Sequence, residues 1–151
     1  MLAPLLLGSL MLVINMAVQV LAVVAVISMY IRRMQSGGFP PGLRTNFRVI
    51  CIVFGVLFLG HLFQFAAWAG LFMWLDEFQD FQTAFYHSSV NFTSLGYGDI
   101  VMSERWRILG GLEAANGVLM FGLTAGAVLS VMNQLFVQRT NVAKILQNDH
   151  K

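Results

Sequence analysis

Charge is scarce in this sequence: 58% of its 151 residues are hydrophobic and only 11% are charged. That balance is too apolar and too weakly charged for an ordinary soluble domain. Cysteine is reduced to Cys51 alone, which excludes an intrachain disulfide; at the start of an apolar run it reads as a small packing residue. Low-complexity segments and internal repeats are absent, so one domain is expected. The nine basic residues lie almost entirely between or after apolar runs, which is a membrane topology and not a nucleic-acid-binding stripe. Nor do they recur every third position inside an apolar run, so the pattern of a voltage-sensing helix is missing. There is no room for a nucleotide- or calcium-binding module.

What is present is three apolar runs long enough to cross a bilayer. Leu2 to Ile31 carries no charge, and as a helix it would reach about 45 Å against a hydrocarbon core of about 30 Å, so it must tilt or end in the interface. A cleaved signal peptide would need a basic start and a shorter run, and both are missing. Arg32 and Arg33 close this segment, giving an N-terminal transmembrane helix over 1–33. The linker 34–48 holds Ser36-Gly37-Gly38-Phe39-Pro40-Pro41-Gly42, where prolines and glycines exclude a continuing helix. The second span is expected over 49–75. In it His61, Gln64 and Trp68 share one face, expected to meet the third span. A lone intramembrane histidine reads as hydrogen-bonded packing before it reads as a metal site.

Asp76, Glu77 and Asp80 follow, and Asp80 is placed to cap a helix over 81–92. Such a helix covers about 18 Å, too short to cross. It must enter and return, and irregular backbone at that depth is tolerated only where protein or a water-filled cavity surrounds it. The carbonyl end of the helix carries partial negative charge and favours a cation. After a polar loop with Glu104, Arg105, Trp106 and Arg107, where Trp106 suits a membrane interface, the third span runs over 108–137. A tail, 138–151, carries Arg139, Lys144 and Lys151. The positive-inside rule puts Arg32, Arg33, Arg44, Arg48 and those three in the cytoplasm. The N-terminus is then outside, the C-terminus cytoplasmic, and the loop after the short helix near the outer surface. The expected fold class is an all-α membrane protein with three transmembrane helices plus a re-entrant helix and loop.

That loop reads Thr93-Ser94-Leu95-Gly96-Tyr97-Gly98-Asp99. It resembles the selectivity filter of the potassium channel pore superfamily, Thr-Thr-Val-Gly-Tyr-Gly-Asp, and the resemblance extends over 49–137: outer helix 49–75, pore helix 81–92, filter 93–99, inner helix 108–137. Gly-Tyr-Gly-Asp arises by chance in a chain this long on the order of once in a thousand sequences. The resemblance implies a fourfold homotetramer whose Ser94, Leu95, Gly96, Tyr97 and Gly98 carbonyls replace the water shell of K⁺, with ion sites at Ser94, Leu95, Gly96 and Tyr97. Stacked carbonyl rings require a backbone of alternating hand, which costs an L-residue about 1–2 kcal/mol at each left-handed position and glycine nothing. Gly96 and Gly98 belong at such positions. Tyr97 would brace the filter from behind, its phenol reaching a polar partner on the pore helix. Thr93 and Asp99 flank the filter as supports. K⁺ as permeant ion, membrane lipids and three sister chains are the implied partners, with no cofactor and no nucleic acid.

The chain also departs from that pattern. Leu95 replaces the usual valine and loses its β-branch, which loosens packing behind the filter. Val90 stands where some bacterial relatives place a glutamate that pairs with the filter aspartate, so Asp99 needs other support. Tyr86-His87 replaces two tryptophans, leaving His87 either as a partner for the Tyr97 hydroxyl or as a polar residue at the interface. Glu113 lies inside the third span with Asn116 on the same face. Either they hydrogen-bond the back of the pore helix near Ser88, Ser89 or Asn91, or Glu113 snorkels to the outer surface. In the first case the filter would respond to pH, and Glu113→Gln tests it. Gly117 and Gly122 are alternative gating hinges; Gly122 and Gly126 also fit small-residue packing. Thr124 and Ser130 are expected at an aqueous cavity. The expected function is passive, selective K⁺ conduction across a plasma membrane. A weakly selective cation channel and a non-conducting membrane scaffold or accessory subunit are the rivals. An enzyme is not expected, because neither His61 nor His87 has convergent partners at recognisable spacing.

Overall fold

Leu43, the first residue after Pro40-Pro41-Gly42 that neither kinks nor frees the backbone, opens the second helix of this protein. The computed structural model describes residues 2–35 and 43–148, with positions 34, 43 and 138–148 described by their backbone alone. It contains α1 (Leu2–Gln35), α2 (Leu43–Trp74), α3 (Phe81–Phe92) and α4 (Ile108–Asn148), and no strand among the described residues. The turn expected at 36–42 and Lys151 lie outside them. All three long helices exceed their expected bounds, α1 by running on to Gln35. α2 begins at Leu43 and not at 49, and α4 continues past 137 because residues 138–148 contain no proline or glycine to stop it. α1, α2 and α4 each contain a stretch long and apolar enough to cross a membrane: Leu2–Arg33, Arg44–Trp74 and Ile108–Val137.

The three long helices pack side by side, α2 running opposite to α1 and α4, and α3 lies against α2 and α4 at one end. That end holds a cluster of Met11, Phe65, Trp68, Phe72, Phe92 and Leu109. The other holds Val26, Val53, Leu57, Val128, Val131 and Leu135. Arg32 and Arg33 close the second end, opposite the loop 93–99. Small residues let α1 come close: a Cβ at Gly8 would run into the Leu112 side chain, and one at Gly60 would lie 3.1 Å from Gln19 Oε1. Close approach matters here because lipid is as apolar as leucine, so van der Waals contact and hydrogen bonds hold such helices together. Large apolar side chains such as Leu21, Leu59, Val118 and Phe136 face outward.

Trp106 turns its ring into the first cluster, 8% exposed, with the Arg105 guanidinium 5.0 Å from it. One packing expectation is corrected. Cys51 is exposed and not a packing residue of this chain, because it falls on the outward face of α2. The acidic turn after α2 behaves as its sequence suggests. Asp80 Oδ1 accepts from the Thr83 N–H at 2.8 Å and caps α3, and that N–H holds the Asp80 carboxyl below its ordinary pKa. Glu77 accepts from the Ser103 N–H (2.7 Å) and hydroxyl (2.6 Å), fastening this turn to the segment that leads into α4.

Candidate functional site

Where α3 ends, the chain does not simply unravel. Thr93 caps the helix and its hydroxyl donates to the Ser89 carbonyl at 2.7 Å. The next amides turn back to the helix: Ser94 N–H to Asn91 O (2.8 Å), Leu95 N–H to Val90 O (3.0 Å) and Gly96 N–H to Val90 O (3.2 Å). The orphan carbonyls of Ser89, Val90 and Asn91 at the helix end are thereby satisfied. Backbone hand then alternates: φ is +58° at Ser94, +60° at Gly96 and +71° at Gly98, and not positive at Leu95 or Tyr97. Alternation of this kind aligns successive peptide planes, with N–H groups facing one way and carbonyls the other. Among the described residues none donates to a carbonyl of Ser94 to Gly98. The result is a run of uncharged carbonyl oxygens without a hydrogen-bond donor among the described residues of this chain. Gly96 and Gly98 take left-handed positions as their residue type predicts. Ser94 takes the third, at a cost of about 1–2 kcal/mol that sequence reasoning did not assign to it.

Asp99 finds its support in Tyr86. The phenol donates to Asp99 Oδ2 at 2.7 Å while Oδ1 accepts from the Ile100 N–H at 3.0 Å. The Tyr86 hydrogen bond holds the Asp99 carboxyl below the usual carboxylate range. Sequence could have found this pair, since Tyr86 precedes Val90 by one helical turn and so shares its face. His87 does not serve Tyr97, which corrects that expectation. Its Nδ1–H donates to the Ile100 carbonyl (3.0 Å) and its Nε2 accepts from the Asn91 amide (2.8 Å), so both ring nitrogens are engaged. His87 is also no interfacial residue: it is buried, with Phe72 and Phe78 against its ring. Tyr97 and Leu95 remain 68% and 54% exposed, so neither packs within its own chain. Behind the loop lies a cavity of about 210 Å³ lined by His87, Asn91, Gly98, Ile100, Met102 and Gly110.

Glu113 meets the back of α3, and does not snorkel. It is fully buried, and Ser88 Oγ donates to its Oε1 at 2.6 Å. Asn116 is equally buried, but neither of its amide atoms has a hydrogen-bond partner, so its expected bond to α3 is not formed. Gly117 lies where α4 crosses the end of α3: a Cβ there would overlap the Phe92 carbonyl. Gly122 has open space around it. Ser130 is exposed, whereas Thr124 is bonded to Gln19 and His61 and is no cavity-facing hydroxyl.

Residues 61–134, just under half of the chain, match the family model described as ion channel. This segment is similar to ion-channel domains. It begins at His61 in the middle of α2 and ends within α4, so α3 and the alternating loop lie at its centre. No curated protein and no solved structure matches the chain. Three apolar helices together with the similarity to ion channels make this an integral membrane protein.

Proposed function

We propose that the protein is a potassium-selective channel, a homotetramer in which residues 94–98 of four chains enclose the conduction path. The observation that carries this reading is the alternating backbone of Ser94, Gly96 and Gly98, with the amides of Ser94, Leu95 and Gly96 spent on α3 and the carbonyls of 94–98 unspent. One chain supplies one quarter of each oxygen ring, which is why four are required. The C-terminal end of α3 aims its partial negative charge at the same place. Thr93, Asp99, His87 and Glu113 support the loop, His87 through Ile100 and Asp99 through Tyr86. Asn116 packs beside Glu113.

Of the two hinge candidates, Gly122 is the one we assign. Gly117 is required by its contact with Phe92, while nothing crowds Gly122. The charge pattern orients the chain in a plasma membrane with the N-terminus outside and the C-terminus in the cytoplasm. A weakly selective cation channel is the second reading, favoured by the Leu95 side chain, which finds no packing within its own chain. Single-channel recording of the purified protein with K⁺ on one side and Na⁺ on the other separates them. A reversal near the K⁺ equilibrium potential is expected. Reversal near zero with clear openings supports weak selectivity, and silence across acid and alkaline pH supports a non-conducting accessory subunit.

A further inference from the structure

Between its two apolar clusters the bundle holds a polar layer that conduction does not use. It consists of Asn15 and Gln19 from α1, His61 and Gln64 from α2, and Thr124 from α4; all but Thr124 are fully or nearly fully buried. The Gln19 amide donates to Thr124 Oγ1 at 2.6 Å. Thr124 Oγ1 lies 2.9 Å from His61 Nε2, and His61 Nδ1 lies 3.1 Å from Gln64 Oε1. The Gln64 amide donates to Gln19 Oε1 and to the Asn15 carbonyl, both at 3.1 Å.

The proton positions follow from the chemistry of the partners. An amide oxygen only accepts, so His61 Nδ1 must carry a hydrogen. With Nδ1 protonated, Nε2 of the neutral imidazole can only accept, so the Thr124 hydroxyl donates to it while accepting from Gln19. The four side chains then close a head-to-tail ring, Gln19 to Thr124 to His61 to Gln64 and back to Gln19. It closes only while His61 is neutral in its Nδ1–H form. A second proton on Nε2 would turn the Thr124 contact round and force its hydroxyl to find another acceptor. The groups in contact with the imidazole are Gln64 on its own helix, Phe121 and Thr124 from α4, and Phe92 from α3, with Gln19 of α1 bonded to Gln64 and Thr124; no acid is among them to pair with an imidazolium. An unpaired charge in such a place is costly, and the ring is the part that can yield.

Location gives the ring its consequence. Phe92 is the last residue of α3, one position before the Thr93 cap, and the His61 ring lies 6.1 Å from it and 4.7 Å from Phe121 of α4. We propose that Gln19, His61, Gln64 and Thr124 form a proton-sensitive latch through which α1 holds the pore-lining helix and the base of the filter. The latch rests on the channel reading above. Its members are positioning residues, since none touches the conduction path.

Two measurements on the full-length protein in bilayers test it. The first is nitrogen NMR with labelled histidine, the His61 signal being the one lost in His61→Phe. Neutral Nδ1–H at neutral pH and double protonation on acidification are expected; an Nε2–H form, or no titration, overturns the latch whether or not current flows. The second is open probability. Acidification, Thr124→Val and Gln19→Leu are each expected to change it in the same direction by about three- to tenfold, as for one or two intramembrane hydrogen bonds. Gln19→Leu and Thr124→Val together should do no more than either alone, and in a Glu113→Gln background, which takes out that carboxyl's own titration, a pH response should remain that His61→Phe removes. Additive effects, a pH response lost in Glu113→Gln, or one kept when His61→Phe is added to it, overturn the proposal. Absence of current with the expected NMR behaviour overturns the channel reading, and the gating role with it.

Discussion

Asp99 shows how much one substitution can rearrange at the scale of a single residue. With valine at position 90 no second carboxyl stands beside it, and the partner is the Tyr86 phenol at 2.7 Å. That bond favours the ionised carboxylate, so the folded-state pKa of Asp99 lies below the unfolded one. The sign follows: the stabilisation is present above the unfolded value and is lost as pH falls through the lowered folded value. Tyr86→Phe should therefore raise the Asp99 pKa toward the ordinary range, read from the carboxyl carbon shift in an NMR titration. An unmoved titration would mean that the Ile100 N–H, and not Tyr86, fixes the charge. The residue type at 86 and the helix face it shares with position 90 were legible in the sequence; the distance at which that face meets Asp99 was set by how the loop folds back.

At the scale of elements, α3 was the most legible part of the chain. An acidic cap, a dozen residues and a threonine followed by glycines give the same bounds, Phe81–Phe92, by sequence and by structure. α4 was less so, since three glycines on one helix look alike until something is packed against them. Gly117→Ala should destabilise the fold by roughly 1–3 kcal/mol, because the obstacle is the Phe92 backbone and not a side chain that can swing away. Gly122→Ala should be neutral or stabilising by up to about 1 kcal/mol, since it gains helix propensity in open space. Thermal unfolding in detergent compares the two, and equal shifts would remove the distinction between packing glycine and hinge.

For the whole molecule, the outward surface is the informative feature. Phe47, Phe58, Leu59, Val118 and Phe136 are each more than half exposed, and so are Phe81, Tyr97 and Val101 around the loop. Lipid suits the first kind of surface; in the proposed tetramer, neighbouring chains cover the second and complete the rings of carbonyls. Native mass spectrometry of the detergent-solubilised protein should therefore give four copies, and a monomer or dimer under conditions that preserve current would sink the fourfold reading. α1 adds a layer whose consequence belongs to this scale, because its polar residues bond to both other long helices.

Sequence by itself determined what depends on neighbours along the chain: three apolar spans from run length, a short capped helix from Asp80 to Phe92, and glycine at two of the three left-handed positions of the loop. The tertiary structure decided what depends on residues far apart. Glu113 is separated from Ser88 by a loop and a helix turn, and Gln19 from Thr124 by most of the chain, yet each pair is 2.6 Å apart. No periodicity in α1 announces which of its polar residues will face inward or what they will meet. In a bilayer an apolar face fits lipid and protein equally well, so helix partners are chosen by close packing and by the few hydrogen bonds that polar side chains complete.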